Sequence, residues 1–292
     1  MSTYFAGFVA MPAEFHIGLA FIIGLLTGSF LNVVIYRLPK RMMYEWSAQS
    51  FEWLNKAPYS ESEPPGLVFP ASHCMACKTP IRAWQNIPVL SFLWLRGKCA
   101  ACGTRIGWRY PLIELLTACL SAVVVFHFGV TVQAAAGLIL TWALVALCFI
   151  DFDHQLLPDS IVLPLLWLGL AMSLIPVFAT PSSAILGAII GYLSFWSVFH
   201  LFKLLTGKEG MGHGDFKLMA LLGAWFGWTL VPQLIIVSTF VGSIVGISLI
   251  VLKRSGRDTT IPFGPYIALA GWLGMLWGSE INSAYLAFAG LR

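Results

Sequence analysis

The sequence predicts an all-α polytopic membrane protein, a bundle of about eight transmembrane helices with a small zinc-binding domain inserted after the first. Three observations predict it. Only 10% of the 292 residues are charged and 58% are hydrophobic, for a mean hydropathy of +0.82. A soluble domain carries about a quarter charged residues, so lipid must serve as part of the solvent. The apolar residues gather into continuous runs rather than alternating ones, and lipid satisfies no backbone polar groups, so these runs are helices and not barrel strands. Four cysteines fall as two C-x-x-C pairs inside the one long polar stretch.

Crossing ~30 Å of hydrocarbon takes about 20 apolar residues. The first such run is Phe15 to Tyr36. It has no basic segment ahead of it and no small-residue cleavage site before Asn32 and Arg37, so it reads as a permanent span and not a signal peptide. The polar stretch Leu38 to Tyr110 follows, with an irregular Pro/Ser/Glu-rich loop from Pro58 to Pro65. It has too few apolar residues for a large core, and domains of this size lean on a metal, disulfides or a larger neighbour. The later runs are Leu112 to Phe128, Val132 to Ile150, Ile161 to Phe178, Ala184 to Leu205, Leu218 to Leu230, Leu234 to Leu252 and Tyr266 to Phe288. Short loops join them, so residues 111–292 form one bundle, after a first helix in 1–37 and the cysteine domain in 38–110. No tandem repeat is evident.

The net charge is +4 and the pI about 8.8. Ten of the seventeen Lys and Arg residues lie between Arg37 and Arg109. Lys203, Lys208, Lys217, Lys253, Arg254 and Arg257 fall on the same side once the spans alternate, and Arg292 alone falls opposite. This positive-inside bias places the cysteine domain in the cytoplasm, with an even number of spans and both termini outside. Membrane topology accounts for the basic charge. There is no basic helix with interleaved aromatics of the kind that binds nucleic acid.

The cysteine pairs are Cys74 with Cys77 and Cys99 with Cys102, separated by twenty-one residues. Two such knuckles can converge on a tetrahedral four-sulfur zinc site. Lys78, Lys98 and Arg105 nearby would offset the charge of four thiolates. Two disulfides are the competing reading, disfavoured by a reducing cytoplasm. His73 reads as an exposed neighbour, and Cys119 and Cys148, inside apolar runs, as packing residues.

Ionisable groups at membrane spans are costly and suggest function. The candidates are Glu114, Asp151, Asp153, Asp159 and Asp215. Asp151 closes the third run. Asp215 opens the sixth, in Gly212-His213-Gly214-Asp215. Topology brings both to one depth on one face. Two carboxylates there suit aspartyl proteolysis: one takes a proton from water, the other, protonated, polarises a carbonyl, and the pair shares one proton. Gly210, Gly212 and Gly214 remove bulk around Asp215. Asp153 reads as a supporting or solvated residue and Asp159 as a helix N-cap. Glu114 is either a buried hydrogen-bonding residue or the partner of a basic loop residue. His154 and His213 read as loop residues that tune the site. Neither G-x-S-x-G nor H-E-x-x-H occurs.

These residues resemble those of the bacterial type IV prepilin peptidases, GxGD-type membrane aspartyl proteases also called prepilin leader peptidase/N-methyltransferases. The likeness runs along nearly the whole chain: Gly28-Ser29-Phe30-Leu31-Asn32 through Arg37-Leu38-Pro39, Asn86-Ile87-Pro88-Val89-Leu90-Ser91, Arg96-Gly97-Lys98-Cys99, Tyr110-Pro111-Leu112-Ile113-Glu114-Leu115, Asp151-Phe152-Asp153 through Leu157-Pro158-Asp159, Gly212-His213-Gly214-Asp215-Phe216-Lys217, and Pro262-Phe263-Gly264-Pro265-Tyr266. The resemblance implies a bacterial inner-membrane enzyme with a cytoplasmic active site. It would remove the basic leader of type IV prepilins and type II secretion pseudopilins, and N-methylate the new N-terminus with S-adenosylmethionine. It puts the catalytic aspartates at Asp151 and Asp215 and zinc on Cys74, Cys77, Cys99 and Cys102, and the residues themselves suggest Gly212, His213, Gly214 and Asp153 in support of the aspartates. Methyl transfer is associated with the family's cysteine domain, which makes Gly97 and Lys98 candidates. No glycine fingerprint of a methyl-donor site accompanies them. The alternative is an ion-coupled transporter with intramembrane carboxylates, but carrier sites usually lie near the midplane of a repeated architecture. Oligomeric state is not legible.

Overall fold

The computed structural model describes residues 9–54, 59–252, 261–288 and 290. Lys56, Pro58, Lys253, Arg254, Arg257 and Arg292, used in the readings above, lie outside the described residues. Among the described residues regular structure is helical, apart from two isolated β-bridges. The helices are α1 (Ala13–Trp53), the short α2 (Leu90–Trp94), α3 (Arg109–Phe128), α4 (Val132–His154), α5 (Asp159–Met172), α6 (Pro181–Thr206), α7 (His213–Phe226), α8 (Val231–Val251) and α9 (Gly264–Phe288). Among the described residues, five segments are long and apolar enough to cross a membrane: α1, α3, α4, α6 and Trp228–Val251.

Three of the expected spans depart from that form. Helices α5 and α7 have 14 residues each, about 21 Å of helix against ~30 Å of hydrocarbon. In α7 nearly every residue from Asp215 to Phe226 is buried, so protein rather than lipid surrounds it and a full span is not needed. Helix α9 leaves helical geometry at Trp277 (φ −127°, ψ 20°). The first helix errs the other way. It passes the expected end at Tyr36, carries Pro39 inside it, and runs on to Trp53. Arg37 is buried there and donates to the Gly66 and Pro70 carbonyls at 2.7 and 2.8 Å, which fastens the following loop to α1.

The chain divides into two compact units, Met1–Trp142 and Ala143–Arg292, with the boundary inside α4. In the first, α1 and α3 pack through small residues. A Cβ on Gly24 would stand 2.7 Å from the Ala118 Cα, and one on Gly28 2.7 Å from the Glu114 Cα. This close approach is how helices associate in lipid, where burial of apolar surface gives no drive. The Asn32 amide donates to the Tyr110 carbonyl at 3.1 Å. Of the two roles open to Glu114, the structure gives it the hydrogen-bonding one: its carboxylate accepts the Val89 N–H at 2.7 Å.

In the second unit α7 is the central helix. Gly187 and Gly191 of α6 lie against the backbone of Gly223 and Met219. From the other side the Trp225 indole donates to the Leu165 carbonyl of α5 at 2.8 Å, and Gly169 makes room for its ring. These contacts fix α7, and so the place of Asp215 in its first turn.

Candidate active site

Asp151 stands in the last turn of α4 and Asp215 in the first turn of α7. Each is 5% exposed, and the charge of Asp151 acts on the Asp215 carboxylate. The backbone N–H of Gly264, the first residue of α9, donates to Asp151 Oδ2 at 2.9 Å. A Cβ at position 264 would meet that oxygen at 2.7 Å, so the residue that supplies this N–H must be a glycine. The sequence marked Gly264 only as part of the Pro-Phe-Gly-Pro stretch, with no role.

Gly212 is the N-cap of α7, and its carbonyl accepts the Asp215 N–H at 3.2 Å. Gly214 lies against Leu157, whose Cβ would be 2.8 Å from any Cβ there. The His213 ring packs on Phe199 and Phe216, with centroids 4.9 and 5.4 Å away. Asp153 is exposed on the last turn of α4. Asp159 is not the cap expected of it. Pro158 occupies the N-cap of α5, and Asp159, the first helical residue, pairs instead with Lys217 Nζ at 2.8 Å on both oxygens.

The cysteine site lies in the first unit. The Sγ atoms of Cys74, Cys77, Cys99 and Cys102 all lie within 4.8 Å of one another, with Cys74 and Cys102 at 3.8 Å. Tetrahedral Zn–S bonds of ~2.3 Å place sulfurs roughly 3.8 Å apart. All six cysteines are free, and the four-cysteine cluster can hold a metal ion. Cys119, expected to pack, is exposed instead, because a uniformly apolar helix does not reveal in sequence which face meets lipid.

The two knuckles repeat one design, which the spacing alone did not disclose. In each, the first cysteine's N–H bonds the carbonyl of the threonine five residues on: Cys74 to Thr79 at 2.9 Å, Cys99 to Thr104 at 2.8 Å. In each, the residue before that threonine has positive φ, 59° at Lys78 and 72° at Gly103. The Thr79 and Thr104 hydroxyls stand 3.2 Å from Cys77 and Cys102 Sγ. These hydroxyls favour the thiolates, holding the Cys77 thiol below its ordinary range and Cys102 down to about 6. The shared C-x-x-C-x-T string was the available signal.

Gly97 and Lys98 line a cavity of about 600 Å³ with Phe92, Arg96, Arg105 and Trp108. Gly97 has φ +66°, and a Cβ there would press on the Phe92 ring at 3.0 Å. The Phe92 and Trp108 rings stand 4.8 Å apart. The cavity thus offers aromatic surface and three cations.

Residues 22–128, which include the four cysteines, match the bacterial peptidase A24 N-terminal domain. Residues 138–247, which include Asp151 and Asp215, match the type IV leader peptidase family. The chain is 54% identical over 271 residues to a prepilin leader peptidase/N-methyltransferase of Pseudomonas aeruginosa, covering 93% of each chain. The chain belongs to the type IV leader peptidase family. Two further relatives of that family carry the same description. The protein of Pseudomonas putida is 50% identical, covering 97% of this chain and 98% of its own. That of Aeromonas hydrophila is 50% identical, covering 93% and 94%. No solved structure matches this leader peptidase chain.

Proposed function

We propose that this chain cleaves the basic leader from type IV prepilins and type II secretion pseudopilins, with Asp151 and Asp215 as its catalytic dyad, and then methylates the new N-terminus. One observation carries the cleavage reading: two buried carboxylates stand at helix ends in one compact unit, the charge of Asp151 acting on Asp215 and Asp151 itself held by the Gly264 N–H. The family membership and the relatives' names support the substrate class.

The chemistry follows from the pair. The Gly264 N–H occupies Asp151 Oδ2 and leaves Oδ1 for a water molecule. One carboxylate of the dyad takes a proton from the water as its oxygen attacks the scissile carbonyl carbon. The other, protonated, donates to the carbonyl oxygen. The tetrahedral diol collapses, the C–N bond breaks, and the departing amine takes a proton from the dyad. Gly212 and Gly214, on either side of His213, keep side-chain bulk low beside Asp215, where an extended peptide must approach, and Asp153 flanks the site from α4.

The remaining assignments rest on the same reading. The bundle 111–292 performs cleavage, after the first helix in 1–37. The domain 38–110 holds zinc on Cys74, Cys77, Cys99 and Cys102, where the metal acts as a structural crosslink. The dyad faces the cytoplasm of a bacterial inner membrane, as the distribution of Lys and Arg favours. S-adenosylmethionine is the methyl donor. The cavity at Gly97 and Lys98 supports a donor site there, because its rings can stack on a purine and its cations can bind a carboxylate. Reconstitution with a prepilin tests the dyad. Asp151→Asn and Asp215→Asn each abolish leader removal while the protein stays folded, and near-full cleavage by either variant defeats the assignment.

A further inference from the structure

Four residues, 155–158, join α4 to α5, and they lie between the two aspartates in an unusual way. The Leu157 side chain touches a neighbour of each. A Cβ on Gly214, which precedes Asp215, would meet Leu157 Cβ at 2.8 Å. A Cβ on Gly264, which donates to Asp151, would meet Leu157 Cδ2 at 3.2 Å. Two residues further on, Asp159 accepts Lys217 Nζ at 2.8 Å on both carboxylate oxygens, and Lys217 lies two residues past Asp215. The linker after Asp151 is therefore tied to the helix that carries Asp215, by packing at Leu157 and by charge at Asp159.

The ion pair has little to do with folding. The Lys217 and Asp159 side chains are 34% and 52% exposed, and pairs this open add little stability. Helix α7 is already fastened by Trp225 and by its glycine contacts with α6. What the pair does fix is the register of the first turn of α7 against the start of α5. That turn carries Asp215, and catalysis tolerates misplacement poorly: about 1 Å can cost on the order of a hundredfold.

We propose that the contact of Leu157 with Gly214 and Gly264, together with the Asp159–Lys217 pair, forms a clasp that sets the separation of Asp151 and Asp215, and that Asp159 and Lys217 are positioning residues for leader cleavage. The proposal rests on the dyad reading. Its rival is that Asp159 recognises the basic leader directly. The rival predicts that freeing Asp159 from Lys217 tightens substrate binding, whereas the clasp predicts slower turnover at unchanged affinity.

The test is steady-state cleavage of a prepilin by the full chain in lipid nanodiscs, with Asp151→Asn alongside. Lys217→Met and Asp159→Asn should each lower kcat roughly tenfold or more, with KM changed by less than about twofold and the thermal midpoint nearly unmoved. Lys217→Arg keeps the pair and should stay close to wild type. The exchange Asp159→Lys with Lys217→Asp rebuilds the pair with reversed polarity and should regain most of the lost kcat. It decides the matter even where a single variant accumulates poorly. The clasp is overturned by wild-type kcat in either single variant, by a change confined to KM, or by an exchange no better than the singles. Cleavage surviving in Asp151→Asn would instead overturn the dyad. A dead Asp151→Asn beside fully active clasp variants overturns the clasp alone.

Discussion

A methyl group at position 264 has nowhere to go. It would stand 2.7 Å from Asp151 Oδ2 and 3.0 Å from Cγ, so Gly264→Ala must push the carboxylate away and lengthen its bond to the backbone N–H. We expect at least a tenfold fall in leader cleavage, with bound metal unchanged, read from steady-state rates and metal analysis on one preparation. The proposed dyad predicts a bell-shaped pH profile for kcat/KM. Activity falls on the acid side as the pair gains a second proton, and on the alkaline side as it loses the one it shares. A monotonic profile would mean that the carboxylates act singly. In the cysteine cluster, the Thr79 and Thr104 hydroxyls at 3.2 Å from sulfur can donate to the thiolates of a bound metal. Thr79→Val and Thr104→Val should each weaken metal retention by about tenfold in competition with a chelator, leaving cleavage by the dyad unaffected as long as metal stays bound.

Among the helices, α3 does two jobs through Glu114. Its backbone receives the close approach of Gly28, and its carboxylate accepts the Val89 N–H at 2.7 Å. Val89 needs that support. Its φ of +59° and ψ of −49° put a β-branched residue in a γ-turn, with the Leu90 N–H bonding back to the Pro88 carbonyl. Glu114→Ala should therefore destabilise the first unit by about 1–3 kcal/mol, and Glu114→Gln, which keeps an acceptor oxygen, by clearly less. Thermal unfolding in detergent separates the two. Helix existence was legible from apolar runs, but helix ends were not. The first apolar run ends at Tyr36, yet α1 continues to Trp53 with Pro39 inside it, and the buried Arg37 beyond the run finds carbonyl partners at Gly66 and Pro70. Hydropathy alone does not distinguish a span from a helix sheathed in protein, which is why α7 was read as a short crossing.

At the scale of the whole chain, what could be read in advance were features written locally. C-x-x-C pairs and a Gly-His-Gly-Asp string carry their geometry in their spacing, and the cysteine sulfurs do converge. Contacts between distant positions carried no such mark. Nothing near Asp151 in sequence announces Gly264, and nothing near Asp159, which follows Pro158 at the start of an apolar run, announces its partner Lys217 on another helix. Orientation is the opposite case, a global property set by a count. Sixteen of seventeen Lys and Arg residues choose one side of the expected spans, and each basic residue kept from crossing adds to the bias. We expect α4, α5 and α6 each to cross, which would put the loop after α3 and the loop after α6 on opposite sides. A reporter that works only outside the cytoplasmic membrane should be active when fused after Gly129 and silent after Gly207, and a reporter that folds only in the cytoplasm should give the reverse. Matching signals at both positions would mean that one of the intervening helices does not cross, with the 14-residue α5 the first to suspect. A clean inversion at both would instead put the dyad on the outer face, where the leader of a newly made prepilin is out of reach.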